Sequence, residues 1–582
     1  MLRLFLQCIV NQFCGNGECL MYTLIKEKNA RNIEVIKIKD HFSNRTIALN
    51  SQVSPQKEME KFVGNLQNNK CYFIIGSGNG TLLQCLKDLN LKSKIYILEP
   101  FKEIDYLDDL KKELAEKNIY FFQFEGINSL YISDAIQNAM GMECEILFHP
   151  NYDKLGKQFL EPIIKKMEEA TITAVINKNT EKHFRFDWLI EPILNLSLSK
   201  NGKNLLELKE KFESRPFILA ASGPSLVENL DFIQQNKDKA YIIASGSAVN
   251  GLINNGITPD FVTVIDSSII NFTAHFKNTK YSGPIITTGT TNHLILKHHK
   301  GELYFTNFSI DTITSEARPD LLYIPAVSSV AIYSLLLTHF LGASEVFLVG
   351  QDLALKDGKY YAKGVHEHEG AKNIGNIIEV EGNISGKVKT TLNLSSMLEN
   401  INNAVSSIQQ NNKNIKIYNL SKIGAKINGV PFKDKNEIIL NEIIDKSWIP
   451  QNIYTKEIDY SLSLEYYNKI KKCKEEVDDI ARKIEKINKK AVTLKDLEKL
   501  LKLIKKLREN EMLETHILNM IYSTTKSINN MFEFGFENNF QTNEERVDML
   551  NKLTTFVKVV QQYLEELIHH KDWPDMFKKG EH

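Results

Sequence analysis

Between residues 217 and 352 the chain repeats one pattern that leaves few folds open to it. A short apolar run is followed by small polar residues and then by a helical stretch. The runs lie at 217–220, 241–244, 261–265, 285–288, 303–305 and 346–349, and several are apolar at nearly every position. A strand of that kind has no solvent face, which is the condition of strands covered on both sides in a parallel sheet. Helical stretches between the runs supply the crossovers that parallel neighbours need. The expected fold class is therefore α/β, with a central doubly wound, Rossmann-like sheet.

The flanks read differently. In residues 1–195, a buried strand from Cys71 to Ile75 precedes the turn Gly76-Ser77-Gly78-Asn79-Gly80. A helix through Leu82, Leu83, Leu86 and Leu89 follows, then a strand at 95–98 that ends on Glu99. This is a βαβ unit, so an N-terminal α/β domain is expected over 1–195 and the central domain over 196–440. Beyond about 455 the period changes. Tyr466, Ile470, Cys473, Val477, Ile480, Ile484 and Ile487 recur at steps of four and three, one apolar stripe on a helix. Thr493 with Asp496, and Thr542 with Glu545, open two further helices. A C-terminal helical bundle is expected over 441–582, with acceptor recognition or plain stabilisation as its role.

Composition narrows the classes. Lys+Arg and Asp+Glu both number 72, which removes the basic field of a general nucleic-acid binder. The 7 cysteines are odd in number and contain no Cys-x-x-Cys pair, so reduced thiols fit better than a disulfide framework or a zinc ribbon. The apolar start reads as a first strand or helix, not a signal peptide, and no window reaches the ~18 apolar residues of a membrane span. A cytoplasmic protein is the expectation.

Two glycine turns could carry chemistry. The first, 76–80 with Glu99 about twenty residues on, fits a nucleotide-type fingerprint, or it is a purely structural turn. The second is Ala221-Ser222-Gly223-Pro224-Ser225-Leu226, between a strand and a helix. Gly223 permits close backbone approach, Pro224 suits a first helical turn, and Ser225 offers a hydroxyl beside free N–H groups. Such a turn suits a phosphate, and it could equally be a tight connection without a ligand. Later strand ends add Ser245-Gly246-Ser247, Asp266-Ser267-Ser268, Thr288-Gly289-Thr290-Thr291 and Gly350-Gln351-Asp352. Ligands of doubly wound sheets bind beyond the carboxyl ends of the strands, so these ends define one polar cleft.

At these residues the chain resembles a known family. RPFILAASGPSLVENL, IIASGSAVNGLINNGITPDFVTVIDSS, PAVSSVAIYSLLLTHFLGASEVFLVGQDLAL and NLSKIGAKINGVPF together resemble the motility accessory factors, flagellin glycosyltransferases of bacteria. Their central domain is shared with archaeal 6-hydroxymethylpterin diphosphokinase, and the Gly-Pro-Ser-Leu turn resembles that of bacterial sialyltransferases. The resemblance spans about 60–440. It implies transfer of a nonulosonic acid (pseudaminic, legionaminic or sialic-acid-like) from a CMP-activated donor to Ser/Thr of flagellin before export. The sialyltransferases carry Asn where this chain has Ser222, so a nucleotide contact through that amide does not carry over.

Donor-binding candidates are then Ser222, Gly223, Pro224, Ser225, Ser247, Asp266, Thr290, Ser328, Ser329 and Gln351. Asp266 could take ribose or cytosine, hold a metal, or merely cap a helix; Ser328 and Ser329 could face a carboxylate or serve as a plain N-cap. Asp352 is a candidate for a donor or base role. Tyr360 and Tyr361 could bond a leaving phosphate, and His366 could take the acceptor proton, by type of residue and not by aligned position. His366 and His368 lack a third metal ligand, so no metal site is assigned, although a divalent ion remains possible. No cofactor beyond the CMP-sugar and no oligomeric state follows. The rival enzyme reading is a pterin pyrophosphokinase with Mg²⁺ between Asp266 and Asp352. The non-enzymatic rival is a flagellin-binding chaperone with a vestigial cleft.

Overall fold

The computed structural model describes residues 22–579, apart from 30–31, 42, 69, 90, 125–128, 140–142, 363–376, 385, 522–524 and 526–539. The chain divides into two compact units: Met1–Lys178 with Asn529–Phe536, and Asn179–Ile528 with Glu537–His582. The C-terminal helices thus fall in the same unit as the central sheet.

In the first unit an antiparallel sheet of Tyr22–Lys28, Glu34–Asp40 and Arg45–Ala48 accompanies a four-stranded parallel sheet. The parallel order is Ile119–Gln123, Lys94–Glu99, Lys70–Ile75, Glu143–Phe148. The expected βαβ unit is its centre, with helix Thr81–Asp88 as the crossover. Alternate residues of strand Lys70–Ile75 enter different cores: Tyr72 and Ile74 one, Cys71, Phe73 and Ile75 the other.

The glycine turn of this unit is filled by the protein's own side chains. A Cβ on Gly76 would overlap the Tyr152 ring, and one on Gly78 would lie 2.8 Å from His149. Glu99, fully buried, accepts from Ser77 N (2.8 Å), Ser77 Oγ (2.6 Å), Tyr152 Oη (3.0 Å) and Phe101 N (3.1 Å). The acid that a ribose would need is engaged internally, so the turn performs a structural task. Burial pushes the Glu99 carboxyl up from 4.5 to about 7, against the pull of those hydrogen bonds.

The second unit is built on eight strands, labelled in chain order: β1 Lys203–Asn204, β2 Pro216–Ala220, β3 Tyr241–Ser245, β4 Phe261–Val264, β5 Ile285–Thr287, β6 Leu303–Phe305, β7 Glu345–Val349 and β8 Lys416–Asn419. Their spatial order is β8-β7-β2-β3-β4-β5-β6-β1, parallel throughout. The reading from apolar runs finds β2 to β7. It misses the two edge strands, which are short or half polar because an edge is covered on fewer sides.

The unbroken apolar runs are explained by two cores. Phe217 and Leu219 of β2 enter one with Tyr241 and Ile243, whereas Ile218 and Ala220 enter the other with Ile242 and Ala244. Helices Val330–Phe340 and Leu392–Asn411 cover the first face through Ile332, Leu335, Ile401 and Val405. Phe212 is an aromatic hub of that face, with ring centroids 4.8 Å from Tyr241, 5.4 Å from Phe261, 5.5 Å from Phe217 and 5.7 Å from Trp448.

The tail forms the expected helices Ser461–Glu485, Leu494–Arg508 and Asn543–Ile568. Both anticipated capping boxes are present, Thr493 with Asp496 and Thr542 with Glu545. The stripe of the first helix differs at its ends. Tyr467, not Tyr466, is its buried tyrosine, and the helix stops at Glu485 before Ile487. Ser463 Oγ donates to Ile193 O at 2.7 Å, which ties this helix to the segment preceding the sheet.

Two outcomes follow. Phe212→Ala should lower the stability of the second unit by about 3–5 kcal/mol, the usual cost of truncating a buried ring, read as a urea midpoint followed by tryptophan emission. For Glu99, the folded carboxyl holds its proton in a range where the unfolded chain has released it. The stability that Glu99 contributes is therefore fully present below about pH 4.5 and is lost as pH rises through about 7. Glu99→Gln should flatten that fall in urea midpoints measured across the same interval.

Candidate functional site

From β2 the chain runs outward through β3 to β6 on one side, while β7 and β8 lie on the other. The order therefore reverses between β2 and β7, and a doubly wound sheet opens its crevice at the carboxyl ends of such a pair. The Gly223 turn leaves one of these strands and Gly350-Gln351-Asp352 leaves the other.

Here the backbone of the protein meets itself. Ala221 N donates to Val349 O (2.8 Å) and Gly223 N to Gly350 O (2.9 Å). A Cβ on Gly223 would overlap Gly350 O and would lie 2.5 Å from Asp352 Oδ2. Gly223 thus packs closely against Gly350 and Asp352, in the segment after β7. Asp352 is 2% exposed. Its Oδ2 accepts from Ser225 N at 2.8 Å, and its Oδ1 accepts from Ser421 Oγ.

The N–H expected to greet a phosphate is therefore already paired with a carboxylate, the internal counterpart of an anion at a helix start. Burial raises the Asp352 pKa, while the bonds from Ser225 and Ser421 lower it. In this structure Ser225 N and Asp352 join the turn to the segment after β7. Pro224, Thr290 and Gln351 are buried as well. The cavity that Gln351 lines beside Ala221 and Ser245 measures about 10 Å³, room for one water.

In a second set, Ser247, Tyr360, Tyr361 and Asp266 stay partly open while Ser222 and Ser245 are buried. Ser247 Oγ donates to Ser222 Oγ (2.9 Å) and lies 3.3 Å from Ser245 Oγ, which joins the ends of β2 and β3. Ser222 O accepts from Ala362 N at 2.9 Å, so the segment carrying Tyr360 and Tyr361 is strapped to the glycine turn. The two tyrosine rings are 6.5 Å apart. Tyr361 packs its ring against the second core, and burial, then Asp266 and Tyr360, raise its pKa. Asp266 Oδ1 accepts from Ser268 N (2.8 Å), so this carboxylate organises the turn after β4 while keeping a half-exposed position.

The remaining candidates have other partners. Thr290 Oγ1 pairs with Thr288 Oγ1 at 2.8 Å. Ser329 caps helix Val330–Phe340 by accepting from Ile332 N, and exposed Ser328 accepts from Asn400 Nδ2 at 2.8 Å. His366, with His368, lies outside the described residues. The structure thus brings together Ser222, Gly223, Ser247 and Tyr361, with Asp266 in electrostatic reach of Tyr361.

One buried polar web escaped the sequence reading. Glu191, 1% exposed, accepts from His293 N (2.6 Å) and Asn292 Nδ2 (2.9 Å), and His293 Nδ1 lies 2.9 Å away. Asn195 Nδ2 donates to Gly289 O (2.8 Å) and Thr291 O (2.6 Å). Together they fasten helix Asp187–Leu194 and the residue after it to the segment that follows β5. A glutamate inside the apolar run Leu189-Ile190-Glu191-Pro192-Ile193 was the available signal, since a charge survives such burial only when paired.

Comparison with known proteins bears on this region. Residues 193–358 match the family model described as 6-hydroxymethylpterin diphosphokinase MptE-like. An uncharacterized protein of Treponema pallidum (strain Nichols) is 25% identical over 141 residues, 23% of this chain and 66% of that relative's length. Among solved structures, the MAf glycosyltransferase from Magnetospirillum magneticum AMB-1 aligns over 100% of this chain and 98% of its own, at 13% identity and a TM-score of 0.46. The matched segment runs through β1 to β7, so the part of this chain that carries the crevice is the part similar to the MptE-like family.

Proposed function

We propose that this protein is a glycosyltransferase that moves a nonulosonic acid from a CMP-activated donor to a Ser or Thr hydroxyl of flagellin. The observation that carries the reading is the polar group at the switch point, half-open Ser247 and Tyr361 over buried Ser222, with Asp266 in electrostatic reach of Tyr361. The sequence blocks that resemble those of the motility accessory factors support it. Because the turn is sealed beneath, the nucleotide lies over Ser247 and the 360–361 strap in this reading, not against the Ser225 N–H.

Transfer breaks the bond from the anomeric carbon to the phosphate oxygen and makes a bond to the acceptor oxygen. The acceptor proton goes to a base, His366 in this reading, and CMP leaves with a growing negative charge. Tyr361, whose pKa is raised, keeps its phenolic proton at neutral pH and can donate it in a hydrogen bond to that phosphate. Asp266 suits the ribose hydroxyls or the cytosine amino group, as an acceptor.

The match at 193–358 favours a second reading, pyrophosphoryl transfer to a pterin. That chemistry requires two carboxylates open to Mg²⁺. Asp352 is committed to Ser225 and Ser421, and this argues against it.

Flagellin from cells lacking the protein should be lighter by whole sugar units in intact-mass analysis; an unchanged mass defeats the glycosyltransferase reading for that acceptor. Tyr361→Phe should slow transfer about 10- to 100-fold with little change in thermal midpoint, whereas Asp266→Asn should weaken CMP binding in a calorimetric titration. Asp352→Ala should cost about 2–5 kcal/mol by stranding a buried N–H and a hydroxyl, with Asp352→Asn costing less. Full activity of the folded Asn variant separates an anchor from a base. ATP turnover with a hydroxymethylpterin, indifferent to CMP-sugars, selects the second reading.

A further inference from the structure

The start of helix Asp187–Leu194 and the turn after helix Asn543–Ile568 bring together groups that sugar transfer does not use. A carboxylate oxygen of Asp187, one of Asp572 and a ring nitrogen of His570 all lie within 4.8 Å of one another, each side chain partly buried. His570 Nδ1 is 3.3 Å from Asp572 Oδ2. Yet this buried nitrogen makes no hydrogen bond, so it is near the carboxylate without being aligned to it. The imidazole is seated on Phe186, with centroids 5.2 Å apart.

Asp187 has mainly acidic neighbours, while Lys571 and Lys578 stand near His570. Asp572, Glu191 and Asp266 act electrostatically on Asp187, opposed by Lys571. Two carboxylates and an imidazole nitrogen that no hydrogen bond engages converge on one point. One imidazole with two carboxylates is a borderline donor set, suited to Mn²⁺ or Zn²⁺. Ligands about 2.1 Å from a shared ion sit roughly 3–4 Å apart, so small rotamer changes close the present triangle.

We propose that Asp187, His570 and Asp572 form a binding site for a divalent transition cation. The ion neutralises the two carboxylates and cross-links the segment preceding the sheet to the C-terminal end of the chain. It is independent of the sugar-transfer reading, because the site needs neither donor nor acceptor.

The test uses the full chain, stripped with chelator and titrated with MnCl₂ and, separately, ZnCl₂. Trp188 and Trp573 adjoin Asp187 and Asp572 in sequence, so bound paramagnetic Mn²⁺ should quench tryptophan emission. The expected result is saturable quenching at one ion per chain, a raised thermal midpoint with either ion, and affinity at least about 10-fold weaker in both Asp187→Asn and Asp572→Asn. The metal-free Asp187→Asn protein should be no less stable than the parent, since the change removes a charge held among other carboxylates. Loss of binding there therefore reports a lost ligand, not a lost fold. Absence of saturable binding by the parent chain, or equal affinity in the parent and both variants, overturns the proposal.

Discussion

The second unit depends on one carboxylate. Asp352, at the end of β7, accepts from the backbone at Ser225 and from the hydroxyl of Ser421, and so clamps three segments at the point where strand order reverses. Its backbone carbonyl also accepts from Ala425 N at 2.7 Å. A carboxylate so placed bears a desolvation cost, offset by charge-assisted bonds and by the positive end of the short helical segment after Gly223. Gly223 serves the same clamp, because a side chain there would collide with Gly350 and Asp352.

This clamp shapes the chemistry available. With the Ser225 N–H committed, the crevice offers hydroxyls and a phenol on its outer side in place of a ring of free backbone donors. Ser247 is partly open above buried Ser222, and Tyr361 is a neutral phenol within electrostatic reach of Asp266. The first unit shows the same principle carried further. Tyr152, His149 and Tyr106 fill its glycine turn, and Glu99 satisfies the groups that a nucleotide would otherwise meet.

Much of the architecture was legible before any coordinates. Runs such as FILA at 217–220 and YIIA at 241–244 implied coverage on both faces, and alternate residues do enter two cores. The capping boxes at Thr493 and Thr542 are local patterns, formed within one turn, and both are present. The edge strands β1 and β8 were not legible, because a strand of two to four residues has too little period to read. Tyr466 and Tyr467 were indistinguishable for a similar reason, since one residue on a helix turns only about 100°.

What the sequence determined by itself was the class of fold, the order of strand and helix, and the placement of small polar residues at strand ends. Those properties follow from hydrophobic period and local hydrogen bonding, which act over a few residues. Tertiary structure alone decided which polar residues face outward and which pair with each other. Ser225 and Asp352 are 127 positions apart, and Asp187 and His570 lie near opposite ends of their unit. Whether such groups greet a ligand or one another depends on distances in space that no local period encodes.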